Sequence, residues 1–409
     1  MTLLRHFVTG SSLFLLLMPS VAFADLMEEL VGTLFDEARI VANGRLRYEF
    51  ADQDSFPNNA NALTFRGRFG FETGALHDFK LLAEGDFTRD LGVDDFNSTT
   101  NGLITFPVVA DPNSERLNRL QLKYEGLPDT VIVGGRQRIK LDDDRFIGNV
   151  GFRQNEQTYD AIRVTNTSIE NLTLDYSYFW QVNRIFGSES PIGEGDADTH
   201  LIHASYKTPF GTAIGYAYLI DINDLVGQSN QTFGGRFEGG YDFSEDWGLV
   251  YAAEYARQSD FGSAPGEFAN NFFRGMAGLR WKQFTIKGAT EILAGDGTQG
   301  FITPLATLHK FNGFADLFLV TPAGGLEDIY GQISYKRAKV PVLGSLFASV
   351  WYHSFHSELT GADLGEEVDF VVSAKPFKHV EFRFKYADFF GAPTLPDTRR
   401  IFLTVNFSY

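Results

Sequence analysis

From about Asn43 onward the chain repeats one pattern, a run of roughly ten residues in which apolar and polar side chains alternate, closed by a turn signal. In Leu63 to Glu72, Leu63, Phe65, Gly67, Phe69 and Phe71 share one face, and Thr64, Arg66, Arg68 and Glu72 share the other. In Asn171 to Gln181 the apolar set is Leu172, Leu174, Tyr176, Tyr178 and Trp180. In His379 to Tyr386, Val380, Phe382, Phe384 and Tyr386 oppose His379, Glu381, Arg383 and Lys385. A period of two places these faces on opposite sides of a strand. Runs of about nine to eleven residues suit tilted strands that cross a bilayer, whereas strands of soluble domains usually have about five or six. A soluble sandwich also alternates, but it would bury one face and leave a broad aromatic or charged surface unexplained. A water-filled lumen surrounded by lipid accommodates both faces.

Further strands are expected to begin near Gly44, Asp78, Glu115, Asp129, Asp198, Thr212, Thr232, Trp247, Asn271, Gln283, Gly325, Ser345, Glu366 and Arg399, with weaker ones around Gln157 and Phe301. The fold class expected is therefore all-β, a transmembrane antiparallel barrel of about 18 strands, within a range of roughly 16 to 18. Short links such as Glu125 to Asp129, Thr208 to Gly211 and Ser373 to Lys378 suit the periplasmic end. Longer stretches, Gly92 to Ser114, Ile185 to Thr199 and Ser259 to Asn270, suit the outside, where loops grow without crossing lipid. Gly295 to Gly324 is long and mixed; a weak strand, an outer loop and a loop folded into the pore all fit it. The end of the chain, Ile401, Leu403, Val405, Phe407 and Tyr409, alternates up to a terminal aromatic. It resembles the C-terminal signal read by the outer-membrane barrel assembly machinery, which is the partner expected at Tyr409.

Residues 1–24 read as a signal peptide: Arg5 and His6, an apolar core from Leu13 to Met18, then Ala22-Phe23-Ala24, with cleavage before Asp25. That core is shorter than the roughly 20 residues a spanning helix needs. Residues 25–42 form a leader in which Leu26, Leu30 and Leu34 recur at helical spacing, suiting a short amphipathic helix or a partly ordered stub. The barrel is expected over 43–409. With no cysteine, the chain has neither disulfides nor a thiol for lipidation. The formal charge of −17 argues against nucleic acid as a partner. Acidic residues gather in stretches read as loops, Asp90 to Asp95, Asp142 to Asp144 and Glu194 to Asp198.

A channel needs a constriction whose charge and width decide what passes. The basic residues on polar strand faces are the candidates: Arg45 and Arg47, Arg66 and Arg68, Arg119 and Lys123, Arg136 and Arg138, then Arg236, Lys287, Arg383 and Lys385. Pairs two residues apart on neighbouring strands would form a positive ladder, and arginine grips planar anions through two hydrogen bonds. The competing reading is that each merely pairs with Glu49, Glu72, Glu84, Asp86, Glu125 or Glu238. Arg145 and Arg153 flank Gly148 and Gly151, where the strand period breaks. They fit a loop returning into the mouth of the pore, or a surface turn in which Asp142, Asp143 and Asp144 pair with them. No calcium-loop spacing is present at those aspartates.

Catalysis has little support. The pairs His200/His203 and His353/His356 are three residues apart, which puts their members on opposite faces of a strand, and no nucleophile-elbow or zinc-helix motif occurs. A purely structural barrel is disfavoured because about 18 strands enclose water unless plugged.

The segment Val133 to Ala161 carries a family resemblance, in its Gly135-Arg136-Gln137 strand, the Asp144 to Gly148 stretch and the run Phe152 to Asp160. With Ser229 to Phe233 and Pro304 to Gly313, it resembles the alginate-export family of outer-membrane proteins. The resemblance implies an eighteen-stranded barrel with an arginine-lined lumen for an anionic polysaccharide or smaller anionic solutes. The chain is shorter than the founding alginate exporter, which points away from polymer and toward a porin-like member. The function expected is passive passage of hydrophilic, anionic solutes through the Gram-negative outer membrane. A general porin with little charge preference is the alternative, and a barrel enzyme a remote one. The partners expected are outer-membrane lipid and an anionic solute or saccharide, with no cofactor and no metal.

Overall fold

A computed structural model of the protein describes Gly32 and residues 37–409. The expected signal peptide lies outside the described residues, as does the leader apart from Gly32 and 37–42. The described residues form eighteen strands. The first six are β1 (Arg39–Gln53), β2 (Ala60–Glu72), β3 (Phe79–Asp95), β4 (Ser114–Leu127), β5 (Thr130–Gln137) and β6 (Thr158–Asn166). Next come β7 (Leu172–Asn183), β8 (Glu194–Thr208), β9 (Gly211–Ile220), β10 (Asn230–Asp242), β11 (Trp247–Ser259) and β12 (Ala269–Trp281). The last six are β13 (Phe284–Leu293), β14 (Leu326–Val340), β15 (Gly344–His356), β16 (Asp363–Phe377), β17 (Val380–Gly391) and β18 (Thr398–Ser408). Each strand pairs antiparallel with the next, and β18 returns to β1 in register from Asn43↔Ser408 to Gln53↔Thr398. The sheet closes, so no strand edge is left for lipid to meet.

The links alternate in size. At one end they are as short as 128–129, 209–210, 282–283 and 378–379; at the other, 96–113, 138–157 and 294–325 are long. Both strand termini at the β1–β18 seam lie at the short-link end, which is periplasmic in barrels of this architecture. Phe69, Leu122, Ile162, Tyr176, Tyr255, Ile333 and Leu403 stand exposed on the outer wall, while Arg47, Arg66, Glu84, Glu254, Asp328 and Glu367 are buried facing in. This is the partition lipid demands, since a basic side chain at the membrane midplane costs about 2–4 kcal/mol.

The structure corrects several expected boundaries. β1 starts at Arg39, four residues before the expected barrel boundary, and β3 and β8 run through Asp90–Asp95 and Glu194–Asp198. Those acidic clusters are strand ends rather than loops. No strand forms around Phe301; β13 pairs directly with β14, and Phe301 is fully buried inside the barrel on a folded-in loop. Gln157 marks a true strand start, since β6 begins one residue later.

Adjacent glycines of β5 serve different ends. Gly134 shares the outer face with Leu122 and Ile162 and has open space where a Cβ would go. Gly135 sits at φ +108°, and a Cβ there would lie 2.3 Å from the Leu120 carbonyl oxygen, so only glycine permits the close β4 contact. Gly135→Ala is therefore expected to lower the temperature at which the barrel loses its compact, fast-migrating form on unheated gels, and Gly134→Ala to leave it unchanged.

Candidate functional site

Two long loops fold back into the lumen instead of projecting outward. Loop 138–157 spans it from wall to wall. On the β1–β4 side, Arg45 donates to the Phe152 and Arg153 carbonyls at 2.8 and 3.0 Å, Arg153 pairs with Glu49 at 2.9 Å, and Arg68 with Glu156 at 3.2 Å. On the far side, Asp142 meets His203 at 3.0 Å, Asp143 joins Arg236 at 2.8 Å and Arg274 at 2.5 Å, and Arg145 reaches Glu291 at 2.8 Å. Loop 294–325 lies beside it. Ile147 and Leu305 form a parallel bridge, the Thr307 amide donates to the Asp144 carbonyl, and Lys310 binds Asp144 at 2.9 Å. Apolar residues of both loops, among them Ile139, Phe146, Phe301 and Leu305, pack against Tyr159, Tyr218 and Phe272 of the wall in one buried cluster. The loops are thus anchored by an apolar core on one side and by charge pairs all round.

Of the three arrangements open for Gly295 to Gly324, the loop folded into the pore is the one observed, and Arg145 and Arg153 lie on a loop inside the lumen. The three aspartates do not pair with those arginines; each has another partner, His203, Arg236 with Arg274, or Lys310.

The loops leave two chambers. The lower one, of 420 Å³, is bordered by Lys287, Gln332, Asp369, Arg383 and Lys385. The upper one, of 520 Å³, lies toward the long-loop end. A 3₁₀ turn, Leu308–Lys310, separates them. At this divide the Phe152 ring stacks on His309 with centroids 3.5 Å apart, and the Lys385 ammonium lies 3.8 Å from the Phe314 ring centre and 3.0 Å from His309 Nε2. His309 Nδ1 bonds Asp316 at 2.8 Å. Burial outweighs Asp316 and, with Lys385 nearby, lowers the His309 pKa to about 3. The imidazole is therefore neutral at physiological pH, with Nδ1–H donating to Asp316 and Nε2 accepting from Lys385.

Arg45, Arg47, Arg66, Arg68, Arg119, Lys123, Arg236, Lys287, Arg383 and Lys385 all stand on the inner wall, and Arg138 turns inward just past β5. Arg136 does not. Its register partner is Leu120, a lipid-facing residue, and it pairs with Asp160 on the outer wall at 2.7 Å. The strand period still holds at Arg136 but is broken before Arg138, so the two part company. Many pairings anticipated from the sequence form, including Arg119–Glu84 at 2.7 Å, Lys123–Glu125 at 3.1 Å and Arg236–Glu238 at 2.5 Å. Arg116, Arg274 and Arg400 also face inward, paired with Asp86, Asp143 and Glu49. For Arg400 the signal was at hand, since Ile401 and Leu403 face outward. Arg116 and Arg119 share the inner face only because of a bulge at β3–β4, which has no sequence signature. The histidine pairs divide as expected: His203 and His353 face in, while His200 packs on Tyr176 and Tyr178 outside.

A closed barrel with an apolar outer wall and a charged lumen narrowed by its own loops is an outer-membrane barrel of porin type. Its fold is shared with solved barrels of Pseudomonas aeruginosa. OpdL superposes with a TM-score of 0.72 at 16% identity, covering 92% of this chain and 99% of that one. OccK9 (OpdG) gives 0.72 at 15% identity over 92% and 100%, and OccK1 (OpdK) 0.71 at 14% over 92% and 99%. At such identities the likeness is one of fold. No protein-family model matches the sequence, and no curated protein matches it.

Burial works against the Asp143 carboxylate, but Arg274 and Arg236 outweigh it and hold its pKa at about 2. A pKa below the usual 3.8 means this tether is complete above about pH 4 and is released as pH falls through 2. Asp143→Asn should loosen loop 138–157 by up to about 3 kcal/mol, the pair being partly solvated. Single-channel recording at neutral pH should then show larger and noisier conductance than wild type, whereas an unchanged trace would mean the pair does not hold the loop.

Proposed function

We propose that this protein is an outer-membrane channel through which small hydrophilic anions, acidic sugars and other carboxylates among them, diffuse down their gradient. The observation that carries the reading is the set of inner-wall cations with no carboxylate in ion-pair range among the described residues. Arg45 bonds only Asn406 and the carbonyls of Phe152 and Arg153, Arg66 bonds Asn43, and Lys385 faces the neutral ring of His309. Lys287 is a further one on the lower chamber. Three of these four, Arg45, Arg66 and Lys385, come from β1, β2 and β17, with only β18 between β17 and β1 at the barrel seam. A row of uncompensated cations lowers the cost of moving an anion past the divide.

The chamber sizes favour monomers or short oligomers over a polymer. The resemblance of Val133 to Ala161 to alginate exporters supports an acidic saccharide as one solute, in short form. A general porin is the second reading. It draws on the pairing of Arg68, Arg119, Arg138, Arg153 and Arg236 with carboxylates, which cancels much of the lumenal charge. Neither reading involves a catalytic step.

The reversal potential in a planar bilayer under a salt gradient tests this. Wild type should prefer anions, and Lys385→Ala combined with Arg66→Ala should weaken the preference markedly. Arg136→Ala, on the outer wall, should leave it intact. Cation preference, or selectivity indifferent to the double substitution, would remove the anion-channel reading in favour of the general porin.

A further inference from the structure

The upper chamber differs in chemistry from the charged lower one. Its wall is largely apolar, with Phe56, Val108, Ile185, Phe186, Leu308 and Val320 along it. Four basic side chains also reach it, Arg153, Arg184, Arg400 and His309, with one carboxylate, Asp316. Three of the four are already matched. Arg153 is held by Glu49 and Asp316, Arg400 by Glu49, and His309 is neutral and bonded to Asp316. Arg184 is the exception. Among the described residues no carboxylate lies within ion-pair distance of it; its guanidinium sits 4.9 Å over the Phe186 ring and makes one long contact, 3.4 Å, to the Ile192 carbonyl. Partial burial pulls its pKa down from the ordinary arginine value, as expected for a half-buried guanidinium without a counter-charge.

We propose that the upper chamber is an entry subsite for an amphipathic monoanion, a solute with one carboxylate and an apolar body, in which Arg184 takes the carboxylate. The subsite rests on the channel reading for its purpose, but not for its chemistry. A chamber of 520 Å³ lies within the roughly 300–1,000 Å³ of small-molecule pockets, which are mostly apolar with a few convergent polar groups. The planar guanidinium offers two parallel donors to a carboxylate, and Phe186 beneath it keeps one side dry, which strengthens the pairing. The apolar wall supplies the remainder, since each methylene moved out of water adds to binding. A polyhydroxylated acid of equal charge would gain the ion pair yet lose water from its hydroxyls against a wall with few partners for them. The subsite thus selects within the class of anions by the body behind the carboxylate, whereas the divide below selects by charge.

Hexanoate and gluconate isolate this difference, since both are six-carbon monocarboxylates and only the second is hydroxylated. Equilibrium dialysis of each, radiolabelled, against the full barrel in lipid nanodiscs is the measurement, with empty nanodiscs subtracted. Wild type should bind hexanoate at least about tenfold more tightly than gluconate, the ratio that 1.4 kcal/mol corresponds to. Arg184→Ala should lose most of that binding, Arg184→Lys should retain part of it, and Arg136→Ala, on the outer wall, should leave it unchanged. Equal binding of the two acids, or hexanoate binding indifferent to Arg184→Ala in a barrel that keeps its compact gel mobility, would overturn the subsite. Because the assay needs no conduction, a barrel that binds hexanoate but shows no anion preference would preserve the subsite and remove only the channel selectivity.

Discussion

Inside hydrocarbon no water is available to satisfy a free backbone N–H or C=O, and this single requirement governs the rest of the structure. It forces β18 to return to β1 through a continuous register from Asn43↔Ser408 to Gln53↔Thr398. Once the sheet is closed, each strand has one face to lipid and one to the interior, and the period of two becomes a division between solvents. Phe65 and Phe69 go out and Arg66 and Arg68 go in because they are neighbours on such a strand.

Closure at this strand number creates a second problem, a lumen too wide to discriminate between solutes. The chain fills it with its own loops, and charge does the positioning. Loop 138–157 is spanned by opposite pairings, Arg153 with Glu49 at one wall and Asp143 with Arg236 and Arg274 at the other. In a partly desolvated interior such pairs are directional and costly to leave unmatched. Most lumenal arginines are therefore consumed in holding the constriction. Those with no carboxylate in ion-pair range among the described residues are few, Lys385, Arg45 and Arg66 near the seam, Lys287 on the lower chamber and Arg184 above.

Much of this was legible beforehand. The three clearest alternating runs became β2, β7 and β17, the total came to eighteen, and all but one of the expected basic candidates face the lumen. The failures share a cause. Arg136 faces lipid although Arg138 turns in, because the chain leaves the strand between them. Phe301 sits in a locally strand-like run, yet its partners are Phe146 and Phe272, the one on another loop and the other on β12. Arg116 joins Arg119 on one face through a bulge. In each case the deciding contact is remote in sequence.

Read alone, the sequence already held the solvent pattern: an outer-membrane barrel of about eighteen strands, the charged face of its regular runs, and the end that carries the long loops. Those properties follow from local periodicity and turn chemistry, because lipid and water act on every strand in the same way. Which cations are neutralised, how two loops fold inward to divide the lumen, and where an unmatched guanidinium remains were settled by long-range contacts. Coulomb pairing and packing depend on distances between residues more than a hundred positions apart, such as Arg145 and Glu291, and no local pattern encodes them.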